Sequence, residues 1–437
     1  MAKATRKRSG IPATGPLDPA ASEKALLDGI QRQTLRYFFD YGHPLSGLAR
    51  ERSGGGPDQV SSSPDTVSSG GSGFGLMAIL VGIERGWIGR GEALDRVSIA
   101  AQFLAKAERF HGVYPHWIDG RSGRTIPFWL KDDGADLVET SFLIAGLLAV
   151  RQYFGGADEK ERRLREVIDA LWQDVEWDWH TRGEAALFWH WSPVYDWEMN
   201  ARIRGWNECL VTYVLAAGSP THAIAPEVYH RCFASGPTFL NGRTYDGLAL
   251  PLGPEGGGPL FFSHYSFLGI DPRGLRDRYG DYWQQNRTHT LINRAYCIAN
   301  PKGFAGYGAD CWGLTASDSI GGGGYIAHSP TDDWGVITPS AALSSYPYAP
   351  EASLQALRHF ASLGERLWTE HGFRDAFSHT ADWYAPSHIA IDQGPIVVMI
   401  ENHRSGLIWR LLMSCPEVQR GLAALDFTWG NGVAAST

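Results

Sequence analysis

Apolar residues recur at helical spacing along most of the chain, and strand-like alternation is scarce. In residues 23–42, Leu26, Ile30 and Phe38 follow the 3.6-residue period of a helix. Gly-, Pro- and Trp-rich loops separate further helical stretches, predicted at residues 73–86, 92–110, 136–154, 160–174, 206–217, 224–233, 284–299, 353–370 and 393–413. Short pieces near residues 186–191 and 258–265 have the pattern of small β-hairpins.

The predicted helices are of two kinds. Residues 141–150 are apolar on nearly every face, which is typical of a helix surrounded by protein. Residues 160–174 are amphipathic, as expected for a helix with one face in solvent. This alternation of buried and half-exposed helices predicts an all-α fold with an inner and an outer ring, an α/α toroid.

The chain shows no internal break. Residues 1–22 are polar with Pro and Gly and are predicted to be a disordered tail, and residues 23–430 are predicted to be a single domain. Residues 43–72 form a Gly/Ser/Pro-rich loop, either a disordered excursion or a rim loop over a site. The run Gly47–Arg52 is expected to anchor it.

Charge argues against two classes of partner. The net charge is −8, and the one basic cluster, Lys3–Arg8, falls in the predicted tail, so neither nucleic acid nor a membrane is expected as a partner. The apolar runs are too short to cross a bilayer. We recognise no export signal, so the chain as it stands would be cytoplasmic, whereas a trimmed periplasmic or secreted protein would look the same. A monomer or simple homodimer is expected.

Aromatic residues and cysteines narrow the chemistry. The chain has 17 Trp, many beside Gly, His, Asp or Asn, and such rings with polar neighbours suit the flat faces and hydroxyl edges of sugars. The five Cys form no C-x-x-C pair and have no His at zinc spacing, so reduced, partly buried thiols are expected, with no metal site and no cofactor.

The first candidate site is a pair of acidic residues before the most apolar helix. Asp136 and Glu139 are three residues apart and share one helix face. Asp132 and Asp133 fit a simple capping role, because acidic side chains stabilise helix starts. Glu139 lies one turn inside an apolar helix, where a carboxylate is rare without a partner.

The second candidate is Glu208 in the segment Gly205-Trp206-Asn207-Glu208. A carboxyl group at a loop-to-helix junction beside Trp has a raised pKa and can hold a proton for a leaving group. The alternative is an ordinary first-turn Glu.

The third candidate lies in and before the last long predicted helix. Asp392 is predicted as its N-cap, with Pro395 in the first turn. Glu401 and Arg404 stand among apolar residues, where they either pair with each other or face a cavity.

Gly321–Gly324 do not form a phosphate-binding loop, because no Lys-Ser/Thr follows and no strand precedes them. They fit a flexible rim loop beside Trp312. The sequence also lacks three hydrolase motifs: H-E-x-x-H, G-x-S-x-G, and S-x-x-K accompanied by its supporting motifs. Their absence argues against metal and serine hydrolases. Carboxylates with aromatic platforms match glycoside hydrolysis.

These segments resemble the glycoamylase-like family, which includes the endo-β-1,2-glucanases of glycoside hydrolase family 144. The resemblance runs from about residue 30 to residue 413. Its carriers are the segments Gly112–Trp117, Asp136–Tyr153, Gly205–Glu208, Gly218–His222, His264–Ser266, Asn293–Asn300, Cys311–Asp318, Ile337–Ala341 and Ile391–Arg404.

The resemblance implies an (α/α)6 toroid over residues 23–430 as the catalytic domain, an inverting mechanism without a metal, and acidic residues at Asp136, Glu139 and Glu208. The resulting hypothesis is endo-cleavage of β-1,2-glucan to short gluco-oligosaccharides. Glu208 is the expected general acid and Asp136 the base or water-orienting carboxylate, supported by Glu139. Candidate substrate-binding residues are His116, Trp117, Trp206, Asn207, Tyr265, Trp312, Trp383, Asp392, Glu401 and Arg404.

Three alternatives stay open at this point. An exo-acting or transglycosylating enzyme on β-1,2-glucan or another β-glucan would use the same carboxylates. A polysaccharide lyase also uses α/α toroids, but it needs a Tyr or His base and cations for a uronate, which an acidic cluster does not supply. A non-catalytic glucan-binding protein would not need Glu208.

Overall fold

The computed structural model describes residues 10–56 and 60–430, which form a helix-rich fold. The α-helices are α1 (Glu23–Phe39), α2 (Ser69–Glu84), α3 (Arg90–Leu104), α4 (Leu137–Tyr153), α5 (Glu159–Gln173), α6 (Leu210–Gly218), α7 (Pro226–Val228), α8 (Tyr282–Ala299), α9 (Pro339–Ser344), α10 (Pro350–Ser362), α11 (Ala390–Arg404), α12 (Leu407–Met413) and α13 (Pro416–Ala424).

Short antiparallel pairings connect the helices. The strands are β1 (Arg52–Ser53), β2 (Thr66–Ser68), β3 (Trp117–Asp119), β4 (Thr125–Ile126), β5 (Ala135–Asp136), β6 (His190–Trp191), β7 (Leu240–Tyr245), β8 (Leu248–Leu252), β9 (Ala316–Asp318), β10 (Tyr325–Ala327), β11 (Trp368–Thr369), β12 (Gly372–Phe373), β13 (Phe377–Ser378), β14 (Trp383–Tyr384) and β15 (His388–Ile389). They pair as β1–β15, β2–β3–β4, β5–β6, β7–β8, β9–β10, β11–β12 and β13–β14.

The two predicted kinds of helix are both present. In α4 every residue from Leu137 to Arg151 is buried, whereas α5 buries one face and leaves the other in solvent. Each fully buried Leu or Phe side chain of α4 contributes about 1.5–3 kcal/mol relative to an exposed one. Because α4 has no solvent face, it must be covered on all sides.

The buried helices pack side by side and the more exposed helices cover them. Helix α2 packs against α4 and α11, α4 packs against α6, and α11 packs against α9. On the outside, α5 packs against α4, α10 against α9, and α13 against α6. The predicted helix-rich fold is therefore confirmed, with fully buried helices packed against more exposed ones.

Several predicted boundaries were wrong for local backbone reasons. The helix predicted over 393–413 is two helices, because Gly406 adopts a left-handed conformation with φ of 67°. The stretch predicted over 353–370 ends at Ser362, and Gly364 at φ of 57° turns the chain toward β11. Residues 258–265 form 3-10 turns rather than a hairpin.

Other parts of the fold were not predicted. The hairpin of β7 and β8 and the short helices α9 and α13 have too few residues for a periodic signal. The predicted long loop 43–72 is shorter, since β1, β2 and the start of α2 fall within it. Its Arg52 is buried and donates to both carboxylate oxygens of Asp318, at 3.1 and 3.0 Å.

The predicted tail begins before the described residues, and the run Lys3–Arg8 lies outside them. Residues 10–22 contain no helix, but Ile11 is buried and its backbone N–H donates to Asp40 Oδ1 at 3.1 Å. Ser22 caps α1 by accepting from the Ala25 N–H. The domain boundary predicted between residues 22 and 23 thus coincides with the start of a helix.

Within the described ranges, we find no helix long and apolar enough to traverse a bilayer. All five cysteines are buried free thiols, as expected.

Candidate active site

Acidic side chains gather where the buried helices begin. Asp136 is the N-cap of α4, Glu208 stands two residues before α6, and Asp392 is the third residue of α11. The start of α2 joins this group through Gly70. Helix N-termini carry partial positive charge, which favours carboxylates at all four positions.

Asp136 is held by hydrogen bonds on both oxygens. Its Oδ1 accepts from the backbone N–H groups of Val138 and Glu139 and from Trp189 Nε1, at 3.0–3.1 Å. Its Oδ2 lies 3.1 Å from His116 Nδ1. The side chain is 1% exposed. Each oxygen of this carboxylate therefore already has a protein partner, and its geometry suits an orienting role rather than that of a base.

His116 is the cationic partner of the acidic cluster. Burial alone would lower the pKa of His116, but the charge of Glu139 and the hydrogen bond to Asp136 raise it to about 10. The ring stacks on Phe128 with centroids 4.0 Å apart. Burial acts to raise the pKa of Asp136, but the hydrogen bond from His116 brings it below its usual value. The two side chains thus form an ion pair at neutral pH.

Glu139 keeps one oxygen available. Its Oε2 accepts the Gly70 N–H at 2.7 Å, whereas its Oε1 accepts no hydrogen bond from the residues the structure describes. Burial raises the pKa of Glu139 to about 7, against the opposing effect of the His116 charge. Glu139 can therefore change its protonation state near neutral pH.

Glu208 is half-buried, and its carboxyl group accepts no hydrogen bond from any other described residue, only one from its own backbone N–H, which acts to lower its pKa. Its backbone carbonyl accepts from the Ser266 hydroxyl, which fixes the turn before α6. Burial raises the pKa of Glu208 to about 7, and the negative charges of Glu139 and Asp136 add to the effect. No cation among the residues at 10–56 and 60–430 offsets this rise in pKa, so Glu208 is the carboxyl best placed to hold a proton.

Asp132 and His190 extend the cluster. His190 Nε2 lies 3.5 Å from Asp132 Oδ2 and 3.8 Å from Asp136 Oδ2. Burial, and then the charge of Asp136, raises the pKa of Asp132 to about 7. Potential ligand atoms of His116, Asp132 and Asp136 lie within 4.8 Å of one another, so this corner could hold a cation, although His116 is already paired with Asp136.

A second group of carboxylates surrounds Asp392. Its Oδ1 accepts from the hydroxyls of Tyr265 at 3.1 Å and Tyr325 at 3.2 Å, and its Oδ2 lies 3.1 Å from the Tyr325 hydroxyl. Burial raises the pKa of Asp392 to about 7. Burial beside Asp392 and Asp318 also raises the pKa of Asp375 well above its usual value.

Asp392 was predicted as an N-cap, but α11 begins earlier and Ile389 is in that position. Tyr325 reaches it from the hairpin of β9 and β10, beyond the Gly-rich loop predicted as a rim loop. The glycines let that loop turn back, which places Tyr325 over the site while its side chain stays 41% exposed.

Two predicted sugar platforms are wrong. Trp206 is 1% exposed and packs against Tyr282, and Trp312 is fully buried with its Nε1 directed at the Ala352 carbonyl. Both rings are part of the apolar core and cannot cover a sugar. Their polar sequence neighbours belong to the turns that enter the core, not to the ring surroundings.

The remaining predicted aromatic and amide positions differ in exposure. Trp117 is buried and meets Phe128 edge to face, with centroids 4.8 Å apart. Trp383 is half-buried on β14. Asn207 is half-buried, and its side-chain oxygen accepts the Cys209 N–H at 3.0 Å, which makes it part of the turn before α6.

Glu401 and Arg404 are structural, and they do not pair with each other as one reading expected. Glu401 is fully buried and accepts two hydrogen bonds from Arg85, at 2.7 and 2.8 Å. Arg404 binds Gln31 at 2.7 Å and Asp28 at 2.6 Å. A helix rises about 1.5 Å per residue, so both lie more than about 13 Å along α11 from Asp392.

Sequence reasoning missed several residues of this site. They come from loops and strand ends for which the sequence predicted no site role: Arg52, Trp189, His190, Asp318 and Asp375. The run Trp189-His190-Trp191 offered a signal, since it repeats the aromatic–His pairing of His116-Trp117.

Gly70 provides a direct test of how closely Glu139 must be held. A Cβ at position 70 would lie 2.6 Å from Glu139 Oε2, so Gly70→Ala must displace the carboxylate. We expect Gly70→Ala to lower the catalytic rate about 10²-fold, which is typical of a catalytic group displaced by about 1 Å. Tm should not fall, because alanine favours a helix more than glycine does. Gly91→Ala in α3, where a Cβ meets nothing within 4 Å, is the matched control. Equal rates for both variants would show that Glu139 need not be positioned.

Comparison with known proteins places this site in context. A family model described as "Putative glucoamylase" matches residues 200–416. The chain is 44% identical over 428 residues to the curated exo β-1,2-glucooligosaccharide sophorohydrolase (non-reducing end) of Parabacteroides distasonis. That match covers 93% of this chain and 58% of the relative, so the chain spans little more than half of that protein.

Two solved structures are also similar. The endo-β-1,2-glucanase of Chitinophaga pinensis, in complex with sophorotriose and glucose, is 52% identical with a TM-score of 0.91, over 94% of this chain and 99% of that one. The endo-β-1,2-glucanase of Talaromyces funiculosus, in complex with sophorose, is 12% identical with a TM-score of 0.65, over 94% of this chain and 90% of that one. The second likeness concerns the fold alone.

Proposed function

This chain belongs to the glycoamylase-like family, and from that premise we propose that it is a glycoside hydrolase that cleaves β-1,2-glucan. The observation that carries the proposal is the pair Glu139 and Glu208. Both carboxyl groups keep an oxygen free of protein hydrogen bonds among the described residues, and burial raises both pKa values to about 7. Glycoside hydrolysis requires two such groups.

In this proposal Glu208 is the general acid. Burial raises the pKa of its carboxyl group, and no neighbouring cation among the described residues lowers it. Glu208 therefore holds a proton at neutral pH and can donate it to the leaving oxygen. Its position before α6 on a loop turn leaves the carboxyl group half-buried, within reach of a bound chain.

We assign the base to Glu139 rather than to Asp136, which the sequence favoured. The carboxylate oxygens of Asp136 are hydrogen-bonded to His116, Trp189 and the first backbone N–H groups of α4. The His116 cation then favours the ionised form of Glu139, whereas Glu208 has no such neighbour. One carboxyl is thereby biased toward accepting a proton and the other toward donating one. Asp136 acts as the orienting carboxylate.

The two groups predict a narrow, bell-shaped dependence of kcat/KM on pH. The rate falls below about pH 7 as Glu139 takes up a proton, and it falls above about pH 7 as Glu208 loses one. Because the two carboxyl groups interact, the measured values belong to the pair.

We propose that the fold is an (α/α)6 toroid over residues 23–430, acting as a monomer or simple homodimer. The buried helices α2, α4, α6, α9 and α11 and their outer partners support it. The starts of four buried helices meet at one acidic site, as expected for the end of a barrel. Asp392, with Tyr265 and Tyr325, is proposed to bind sugar hydroxyls. Trp117 and Trp383 are proposed to lie beside the bound glucan.

Endo-action is the form we propose, and exo-action is the alternative. The chain is more similar to the Chitinophaga endo-enzyme, at 52% identity, than to the Parabacteroides exo-enzyme, at 44%. Chromatography of early products separates them. An endo-enzyme releases a series of β-1,2-gluco-oligosaccharides from the start, whereas an exo-sophorohydrolase releases sophorose alone.

The stereochemistry gives a further prediction. Glu139 and Glu208 come from the starts of different helices and can stand on opposite sides of a cleft wide enough for a water, as inverting enzymes require. We expect the first-formed reducing end of β-1,2-glucan products to be the α-anomer, measured by proton NMR in the first minutes before mutarotation.

A β-anomer appearing first would indicate a retaining route and would make one carboxylate a nucleophile. If the enzyme cleaved another β-glucan and not β-1,2-glucan, the proposed substrate would be wrong, but the assignment of Glu208 as general acid would stand. An unsaturated product, visible by ultraviolet absorbance, would instead identify a lyase.

A further inference from the structure

A sulfur- and nitrogen-rich cluster lies apart from the carboxylates. One potential ligand atom from each of Cys311, His359 and His379 lies within 4.8 Å of the other two. Cys311 stands in the loop before β9, His359 in the last turn of α10, and His379 in the turn between β13 and β14. The spacings of 48 and 20 residues hide the cluster from any sequence motif.

The surroundings prepare His359 for a ligand. Its Nδ1 lies 3.6 Å from Asp310 Oδ2, and its Nε2 is buried and has no hydrogen-bond partner among the described residues. A buried ring nitrogen without a partner is costly. A carboxylate on one nitrogen and a metal on the other is the usual arrangement of a metal-bound histidine.

The backbone is also shaped around His379. A Cβ on Gly306 would lie 2.3 Å from the His379 ring, and Gly306 has φ of 83°, so only glycine lets this loop pass so close. His359 and His379 are both half-buried and their rings meet edge to face, with centroids 6.2 Å apart, while Cys311 is fully buried. An ion could therefore enter from the histidine side and meet the sulfur within.

We propose that Cys311, His359 and His379 bind a thiophilic divalent transition-metal ion, with Zn²⁺ as the best match. One thiolate and two imidazoles suit zinc, which takes sulfur at about 2.3 Å and nitrogen at about 2.0–2.1 Å in a tetrahedron. Such a tetrahedron separates its ligand atoms by about 3.3–3.6 Å, and the three atoms already lie within 4.8 Å of one another. A water molecule would supply the fourth ligand of the bound ion.

The site is a cross-link rather than a second active site. It ties α10 and the loop before β9 to the hairpin of β13 and β14. That hairpin begins two residues after Asp375 and leads into Ser387, whose hydroxyl donates to Asp318. Bound metal would therefore hold this hairpin to α10 and raise thermal stability, because a ligand that binds the native state stabilises it.

The test uses the whole 437-residue chain after exhaustive chelation, titrated with Co²⁺ and then Zn²⁺. We expect one equivalent of Co²⁺ to produce a thiolate-to-metal charge-transfer band, Zn²⁺ to displace it, and Zn²⁺ to raise Tm by a few degrees. The corner of His116, Asp132 and Asp136 holds no sulfur and cannot give this band. The rate on glucan should be the same with and without chelator, because no carboxylate proposed to act in catalysis belongs to the site.

Cys311→Ser and His379→Gln should each abolish the band and the Zn²⁺-dependent rise in Tm. Cys415→Ser, at another buried free thiol, should keep both. Asp310→Asn should weaken binding about 10- to 100-fold. If Cys311→Ser does not fold because Cys311 is buried, the test depends on His379→Gln, since His379 is only half-buried. A wild-type protein without the band, or a band that survives His379→Gln, would overturn the proposal.

Discussion

Glu208→Gln should lower kcat on β-1,2-glucan by about 10²- to 10⁴-fold, the usual cost of losing a general acid. The amide keeps the shape of the side chain but has no proton to give. Tm should change little, because the carboxyl group accepts a hydrogen bond only from its own backbone N–H among the described residues, and the glutamine oxygen can accept the same bond. The alkaline limb of the pH profile should disappear, since that limb reports the loss of the Glu208 proton.

Glu227→Gln is the matched control. Glu227 is an exposed acidic residue in the first turn of α7, which is the ordinary helix-start role that also fits Glu208 in sequence. Its substitution should leave rate and pH profile unchanged. If Glu208→Gln retained activity within a few-fold of the wild type, Glu208 would have no more than that ordinary role.

The helical content of the fold could be predicted from periodicity because burial imposes it. A helix surrounded by protein, such as α4, is apolar on all faces, and a covering helix such as α5 is apolar on one. The break at Gly406 could not be predicted, because an isolated glycine is compatible with a helix until the neighbouring packing selects a positive φ.

The candidate site was predictable to the extent that it follows helix starts. Asp136, Glu139, Glu208 and Asp392 all lie where an apolar segment begins. Contacts between distant segments were not predictable, such as Gly70 with Glu139 or Cys311 with His359 and His379.

Nor does a polar sequence neighbour tell which way a ring points. Trp206 faces the core, while Trp189 donates to the site from a segment that was predicted only as part of a small hairpin.

Removal of the proposed general base, Glu139, is expected to cause the second large loss of rate. Glu139→Gln should also lower the rate by about 10²- to 10⁴-fold, because the attacking water loses its proton acceptor. The amide oxygen can still accept the Gly70 N–H, so Tm should stay near that of the wild type. The acid limb of the pH profile should vanish and the alkaline limb should remain, the reverse of the Glu208→Gln result.

Asp136→Asn provides the contrast between positioning and proton transfer. Its amide nitrogen would face donors on every side, namely His116, Trp189 or the first N–H groups of α4, and an unsatisfied buried donor costs about 1–3 kcal/mol. It should therefore lower Tm as well as rate. Azide needs no base to act as a nucleophile, so it should restore cleavage to Glu139→Ala but not to Asp136→Asn. Rescue of Asp136→Asn alone, with Glu139→Gln fully active, would return the base to Asp136, despite the hydrogen bonds that occupy it.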